Sequence, residues 1–414
     1  MSTGNCPPLP AQGRIAALPA RLSPRKAFYL LASITVTFLA GSLAPTPLYP
    51  IYQAEWGFSA LTVTMIFSIY ALALLGSLLV AGRLSDFVGR RPVLIAATMG
   101  QALTMSLFIS ASGPDGLLLA RFAQGLVTGA ALGAIGASLI DHDKKLGPVA
   151  NAIAPMTGTA VGGVVAGLMA HFLPAPTTLV YATLAVVYLA QAAGLFLMTE
   201  TVTPRAGALA SLAPRFAIPE AARNPIVVAA PVLIAAWSLA GFYASLAPAI
   251  LRAAFHVDPS VGGGTAAFAL AGSGALTVYI SRSRKAETVM TWGAVALASG
   301  ALISLLSLVP HSLVGFLAGT MVAGAGFGAG FQGAMGTVAP TARPHERAGV
   351  LSVIFVVSYV AMGVPAIIAG LIVACGADLM LTAQAFGGFV ALMAGLALVG
   401  QMMNRARGSW KRAR

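Results

Sequence analysis

Gly82-Arg83-Leu84-Ser85-Asp86-Phe87-Val88-Gly89-Arg90-Arg91-Pro92 is a brief charged stretch between two long apolar runs. Neither residues 59–82 before it nor residues 92–111 after it contain a charged side chain. The same alternation continues along all 414 residues, of which 58% are hydrophobic and 8% charged. A soluble domain carries about 25% charged residues. The stock here is too small to cover a water-exposed surface, so a string of soluble domains is excluded. A bilayer-spanning helix takes roughly 20 apolar residues, and twelve of them would use about 60% of this chain.

The spans read as 27–49, 59–82, 92–111, 116–140, 148–172, 177–199, 226–250, 262–280, 289–309, 313–339, 350–374 and 380–403. Pro or Gly marks most of the joints: Pro92, Pro114, Gly147-Pro148, Pro174, Pro225, Pro310 and Pro340. Helix is the expected form, because each backbone group in lipid needs a partner within the protein. The ten-residue alternation of a membrane barrel is absent. The fold class is therefore all-α and integral to the membrane.

Lys and Arg sort by side. Those in the N-terminal tail, the loops at 83–91, 141–147, 281–288 and 340–349, the segment 200–225 and the C-terminal tail make 22 of the 24, all on one face. Arg252 stands alone on the other face, and Arg121 lies within a span. By the positive-inside rule both termini are cytoplasmic, as an even number of spans requires. The net charge of +13 is thus spread along one face rather than gathered into a nucleic-acid patch. Residues 1–26, Pro-rich and basic, read as a cytoplasmic tail without a signal peptide. Cys6 and Cys375 are the only cysteines, too few for a disulfide framework or a metal pattern.

The chain also looks doubled. Ala40-Gly41 followed by Pro47 returns as Ala240-Gly241 followed by Pro248, and Ala166-Gly167-Leu168 returns as Ala369-Gly370-Leu371. Duplicated halves are a common transporter design, with the substrate site between them. The division expected is an N-terminal six-helix bundle at 27–199, a cytoplasmic linker at 200–225, a C-terminal bundle at 226–403 and a basic tail at 404–414.

The opening stretch resembles the signature between spans 2 and 3 of the major facilitator superfamily, Gly-x-Leu-Ser/Ala-Asp-x-x-Gly-Arg-Arg/Lys, with every fixed position filled. The resemblance implies two pseudo-symmetric six-helix bundles that rock about a central site. It also implies a gating role for Gly82, Asp86, Gly89, Arg90 and Arg91. Physically, Asp86 is expected beside the start of span 11, where the positive end of a helix favours a carboxylate by roughly 0.3–2 kcal/mol. Arg83, Arg90 and Arg91 can pair with Asp86 or with linker acids. Such a clasp favours the form closed to the cytoplasm.

Arg121, in Ala120-Arg121-Phe122-Ala123-Gln124-Gly125, resembles the family's span 4 motif. It lies about 7 Å below the extracytoplasmic rim at 1.5 Å per residue. Pro45 and Pro47 each remove one helix hydrogen bond at similar depth, leaving the Gly41 and Leu43 carbonyls for its guanidinium. Two readings stay open: a structural tie between spans 1 and 4, or a site for an anionic group or for coupling. No Asp, Glu or Lys lies within any span, so the proton relay usual in cation exporters has no obvious carrier. In span 5, Gly158, Gly162 and Gly163 partly match the family's antiporter signature. Ala154 and Thr159 stand where that signature has Gly and Pro, and GxxxG helix packing explains the same glycines.

The family's cavity is lined mainly by spans 1, 4, 7 and 10. Polar or aromatic candidates there are Thr37, Arg121, Gln124, Thr128, Trp237, Tyr243 and Gln332, with Tyr359 from span 11. A mostly apolar pocket of this kind suits a small amphiphilic organic molecule. Asp141-His142-Asp143 reads as a solvated loop rather than a metal site. No phosphate-binding GxxxxGK[ST] is present, and no nucleophile–base pair suggests an enzyme. The expectation is a secondary transporter exporting a small organic solute, with proton coupling left open. The alternative is a symporter or uniporter importing an organic anion; a receptor or scaffold is the remaining class. No cofactor, metal or nucleic acid is expected. The partners are a small-molecule substrate and the bilayer. The chain is expected to be a monomer in the plasma membrane, the inner membrane of a bacterium.

Overall fold

The computed structural model describes residues 22–213, 218–343 and 346–412. Most of the expected N-terminal tail, Cys6 included, lies outside the described residues, as do Arg215 and the last two residues of the chain. Among the described residues every element is helical, and twelve helices are long and apolar enough to cross a membrane. They are α1 (Pro24–Trp56), α2 (Ala60–Ala81), α3 (Arg90–Ile109), α4 (Pro114–His142), α5 (Leu146–Phe172), α6 (Pro176–Phe196), α7 (Glu220–Phe255), α8 (Pro259–Ser281), α9 (Ala286–Leu308), α10 (Leu313–Thr341), α11 (Gly349–Ala374) and α12 (Leu379–Asn404). Both ends of this series lie on one face, the terminal face; the other is the far face.

Helix starts follow local chemistry. Ser23, Ser59 and Ser312 accept from the backbone N–H three residues on, and Asp258 accepts from Ser260 N and Val261 N. Each satisfies an amide that the first turn cannot pair by itself. Prolines at the starts of α4, α6 and α8 sit where a missing N–H costs nothing.

Two boundaries differ from the sequence reading. The first span does not stop at residue 49: a 3-10 turn at Thr46–Leu48 interrupts the helix, which then resumes through Trp56. Pro45 and Pro47 break the hydrogen-bond ladder without ending the rod. The seventh span is longer than 226–250, because Pro225, Pro231 and Pro248 lie inside one helix rather than at its joints. The structured part of the linker therefore ends at Pro219, six residues earlier than expected.

The helices divide into two bundles, each with its own apolar core. Leu31, Ile34, Phe38, Met105, Phe108, Tyr181 and Tyr188 belong to the core of α1–α6. Val232, Leu239, Phe242, Leu297, Phe316 and Val390 belong to that of α7–α12. Glycines set the close approaches: a Cβ on Gly158 would run into the Val36 backbone and one on Gly162 into Ala40, so α5 lies directly against α1. In the second bundle Gly293, Gly300, Gly326 and Gly333 do the same between α9 and α10.

The bundles meet through two symmetry-related helix pairs, α5 with α8 and α2 with α11. In the far half of the first pair, a Cβ on Gly264 would lie 2.5 Å from the Gly163 carbonyl oxygen, and one on Gly167 2.6 Å from that of Ser260. In the second pair the Ser68 hydroxyl donates to the Gly363 carbonyl at 3.0 Å. Thr46 adds a bond to the Ala244 carbonyl, also 3.0 Å, between α1 and α7.

Candidate functional site

Below that seal lies a cavity of about 400 Å³ between the bundles. It reaches the terminal-face ends of three helices, at Pro148 of α5, Val278 of α8 and Met335 of α10. Its walls come from α1, α2, α5, α7, α8, α10 and α11. Four expected residues line it: Trp237, Tyr243, Gln332 and Tyr359. The Trp237 ring centre is 5.0 Å from Tyr359, 5.4 Å from Phe331 and 5.8 Å from Phe327, making an aromatic wall. The Tyr243 hydroxyl is occupied within its own bundle by Thr320 at 2.8 Å. The Gln332 side-chain oxygen accepts from the Ser281 hydroxyl at 2.7 Å.

The other four candidates lie in the interior of the first bundle and do not line the cavity, although Arg121 touches two residues that do, Ser42 and Tyr70. Thr37 donates to Gln191 on α6 at 2.9 Å. Thr128 accepts from Gln101 on α3 at 2.7 Å and donates to the Gln124 carbonyl. Gln124 donates to the Gly41 carbonyl at 3.0 Å. That carbonyl is the one orphaned by Pro45, so the free acceptor goes to Gln124 rather than to Arg121. Arg121 takes the Ser42 carbonyl instead of Leu43, at 2.6 Å from Nη1. The same nitrogen donates to Gln124 Oε1 at 2.9 Å. Nε and Nη2 both donate to the Tyr49 hydroxyl, at 3.0 and 2.7 Å. Arg121 is 0% exposed, with the Tyr70, Tyr49 and Phe108 rings 5.3–5.9 Å from its guanidinium carbon.

The glycines of α4 explain this division. A Cβ on Gly125 would lie 2.5 Å from the Tyr70 carbonyl oxygen, and Gly129 and Gly133 sit as closely on Leu74 and Gly82. Helix α4 is drawn in behind α2, and α2 stands between it and the cavity. Tyr70, Asn151, Phe327 and Phe331 line the cavity and were absent from the candidates. Tyr70 and Asn151 sit on α2 and α5, outside the spans 1, 4, 7 and 10 on which the expectation was built; Phe327 and Phe331 are aromatics of span 10, where it named only Gln332.

At the terminal face the charged loop folds onto its own bundle rather than onto α11. Arg90 Nη1 pairs with Asp86 and donates to the Ser85 hydroxyl at 2.8 Å, while its Nε reaches Asp141 at 3.3 Å. Glu200, at the start of the linker, accepts from the Arg90 and Arg91 amides, both at 2.9 Å, and so caps α3. The Arg91 guanidinium finds no acid; it donates to the Leu195 and Phe196 carbonyls at the end of α6. Gly89, at φ 110°, is fixed as glycine twice over: by its left-handed backbone and by Glu200, whose Oε2 would lie 2.6 Å from a Cβ. Nearby, Asp143 accepts from the Leu146 and Lys145 amides at 2.8 Å, which lowers its pKa. The described residues contain no cluster of metal-ligating side chains.

A sequence model described as Major Facilitator Superfamily matches residues 30–366. The chain belongs to the Major Facilitator Superfamily. Among solved structures, this major facilitator is similar to that of the nucleoside transporter NupG, with a TM-score of 0.67 at 14% identity, covering 93% of this chain and 99% of that one. At that identity the likeness speaks to the fold alone. Among curated proteins it is 32% identical over 111 residues to the major facilitator-type transporter psiT2 of Psilocybe cyanescens. That match covers 26% of this chain and 21% of the relative, so the chain spans about a fifth of the length of the curated protein it matches.

Proposed function

We propose that this major facilitator is a secondary transporter that exports a small organic solute by alternating access. One observation carries the reading: a cavity walled by both bundles, sealed at the far half by glycine-stripped helix contacts and extending to the helix ends at the terminal face. With the positive-inside orientation, this is the form facing the cytoplasm, in the plasma membrane of a bacterium. The partial antiporter signature in α5 supports export, and Gly163 of that signature lies on the seal that must open. Import of an organic anion is the weaker reading. The buried cation that would attract an anion already makes four hydrogen bonds to protein groups.

All eleven acidic residues lie in loops or within two residues of a helix end. A proton-coupled cycle of the usual kind therefore has no membrane-buried carboxylate to use. The Asp86 loop serves as a clasp that engages when the terminal face closes. Arg83 supports this, since its buried Nη1 has no hydrogen-bond partner among the described residues.

Counterflow of candidate solutes in proteoliposomes, with and without an imposed proton gradient, tests the reading. Protein-dependent exchange is expected, and solute-loaded vesicles that exchange no faster than empty lipid would refute it. Asp86→Asn keeps the shape and removes the charge. It should abolish exchange while leaving solute binding intact, and normal exchange would remove the clasp from the mechanism.

A further inference from the structure

None of the side chains lining the central cavity carries a charge. The acids are confined to helix ends and loops, and the buried cation Arg121 sits directly behind the lining residues Ser42 and Tyr70, making four hydrogen bonds to protein groups. A cation entering the cavity would give up its hydration for no counter-charge, and an anion for a guanidinium that lies behind the wall and is already hydrogen-bonded; either is costly in a low-dielectric site. The wall favours flat rings instead, with Trp237 facing Phe327, Phe331 and Tyr359 at ring-centre distances of 5.0–5.8 Å. Aromatic pairs prefer such spacings, and they would accept another planar ring in the same offset or edge-on manner.

Among the polar groups on this wall, Ser42 and Thr159 donate to carbonyls of their own helices, and Asn151 donates to the Gly136 carbonyl. Trp237 Nε1 is buried and has no hydrogen-bond partner. An indole N–H can only donate, and buried indoles normally find an acceptor. On the other bundle, the Tyr70 hydroxyl lies beside the Ser42 and Thr128 hydroxyls of its own bundle. The Gln332 oxygen is already taken by Ser281, which leaves that amide's NH2. The buried donor left without a partner on this wall is the Trp237 indole N–H.

We propose that the central cavity takes a neutral, planar, aromatic solute and reads its carbonyl or ring-nitrogen acceptor through the Trp237 indole N–H. This substrate class rests on the transport reading. A bond from Trp237 on α7 to a solute that also packs against Tyr70 on α2 links the two bundles, so the solute itself contributes to holding them in register. Discrimination follows without any charged residue. A cation finds no carboxylate, an anion finds Arg121 behind the wall and already hydrogen-bonded to the protein, and an acceptor-free hydrocarbon leaves the indole unpaired.

The test uses the purified full chain in lipid nanodiscs, with empty nanodiscs as the partition control. Four fused bicyclic probes of similar size are titrated: coumarin (neutral, with a lactone carbonyl), naphthalene (neutral, without an acceptor), naphthoate (an anion) and N-methylquinolinium (a cation). Coumarin should bind most tightly. Trp237→Phe keeps a ring and removes the N–H. It should weaken coumarin about 5- to 10-fold, the worth of one ordinary hydrogen bond, and leave naphthalene unchanged. Tighter binding of either ion than of coumarin would overturn the neutral class. Equal loss for coumarin and naphthalene in Trp237→Phe, loss for neither, or failure of every probe to bind the unaltered protein would overturn the inference as well. Should Trp237→Phe fail to fold, equal affinity of the unaltered protein for coumarin and naphthalene would overturn it on its own. Coumarin binding without any protein-dependent counterflow would fail the transport reading alone. Counterflow without a preference for coumarin would fail this inference alone.

Discussion

Arg121 gathers around one guanidinium what the sequence scatters over eighty residues. Ser42, Tyr49, Gln124 and three aromatic rings converge on it, and no carboxylate is among them. A planar fork can serve acceptors lying in different directions; Lys offers its three donors from one nitrogen. Arg121→Lys should therefore lower stability by about 1–3 kcal/mol, read as a lower thermal midpoint in detergent, with coumarin affinity unchanged in the folded fraction. An unchanged midpoint would deny the tie between α1 and α4. That Arg121 is special was legible in the sequence, as the lone charge within a span. Its partners were legible only in part. Pro45 pointed to the Gly41 carbonyl, but which side chain claims that oxygen depends on how far α4 is drawn in. Trp237, Tyr243, Gln332 and Tyr359 were found by residue type; Phe331, an aromatic of span 10, met the same criterion and was passed over, whereas Tyr70 on span 2 needed the packing. Glu200 gave no sequence signal, because a cap supplied from 110 residues away has no local pattern. Glu200→Ala should cost about 1 kcal/mol, the usual worth of a helix cap, again seen in the thermal midpoint.

At the scale of elements, small residues decide which helix lines the cavity. Gly125 lets α4 seat on the α2 backbone, and α2 then supplies Phe67, Tyr70 and Leu74 to the cavity wall. Gly125→Val should push α2 towards the cavity and cost about 1–3 kcal/mol through overpacking. It should weaken coumarin binding even though Gly125 lines no part of the cavity. Unaltered binding and stability would show that α2 and α4 are not in register as described. The joint between α4 and α5 gives a pH dependence. Asp143 is held below its ordinary pKa by two amides, so its stabilising effect is complete above the unfolded value of about 4. It is lost only as pH falls through the lower folded value. Amide exchange at Lys145 and Leu146 should accordingly stay slow from neutral pH down to that range and rise below it; faster exchange already near pH 6 would contradict the cap. The number of spans was legible because apolar length is a property of sequence alone. The overlong α1 and α7 were not, because proline inside a membrane helix and proline at its end read alike.

For the whole molecule the central claim is that one cavity serves both faces in turn, with the Gly163–Gly264 contact as the seal that must part. The most direct measurement places a thiol in the cavity wall as Thr159→Cys, in a background carrying Cys6→Ser and Cys375→Ser. A membrane-impermeant thiol reagent is then applied to sealed vesicles of each orientation. Thr159 is a lining residue midway along α5, and in the otherwise unaltered protein its cysteine should react from the terminal face alone. Gly264→Trp puts bulk where even a Cβ would meet the Gly163 carbonyl at 2.5 Å, so it should wedge the far half open. The same cysteine should then react from the far face and be protected from the terminal one. Reaction from the same face in both proteins, or from both faces at once in either, would contradict alternating access.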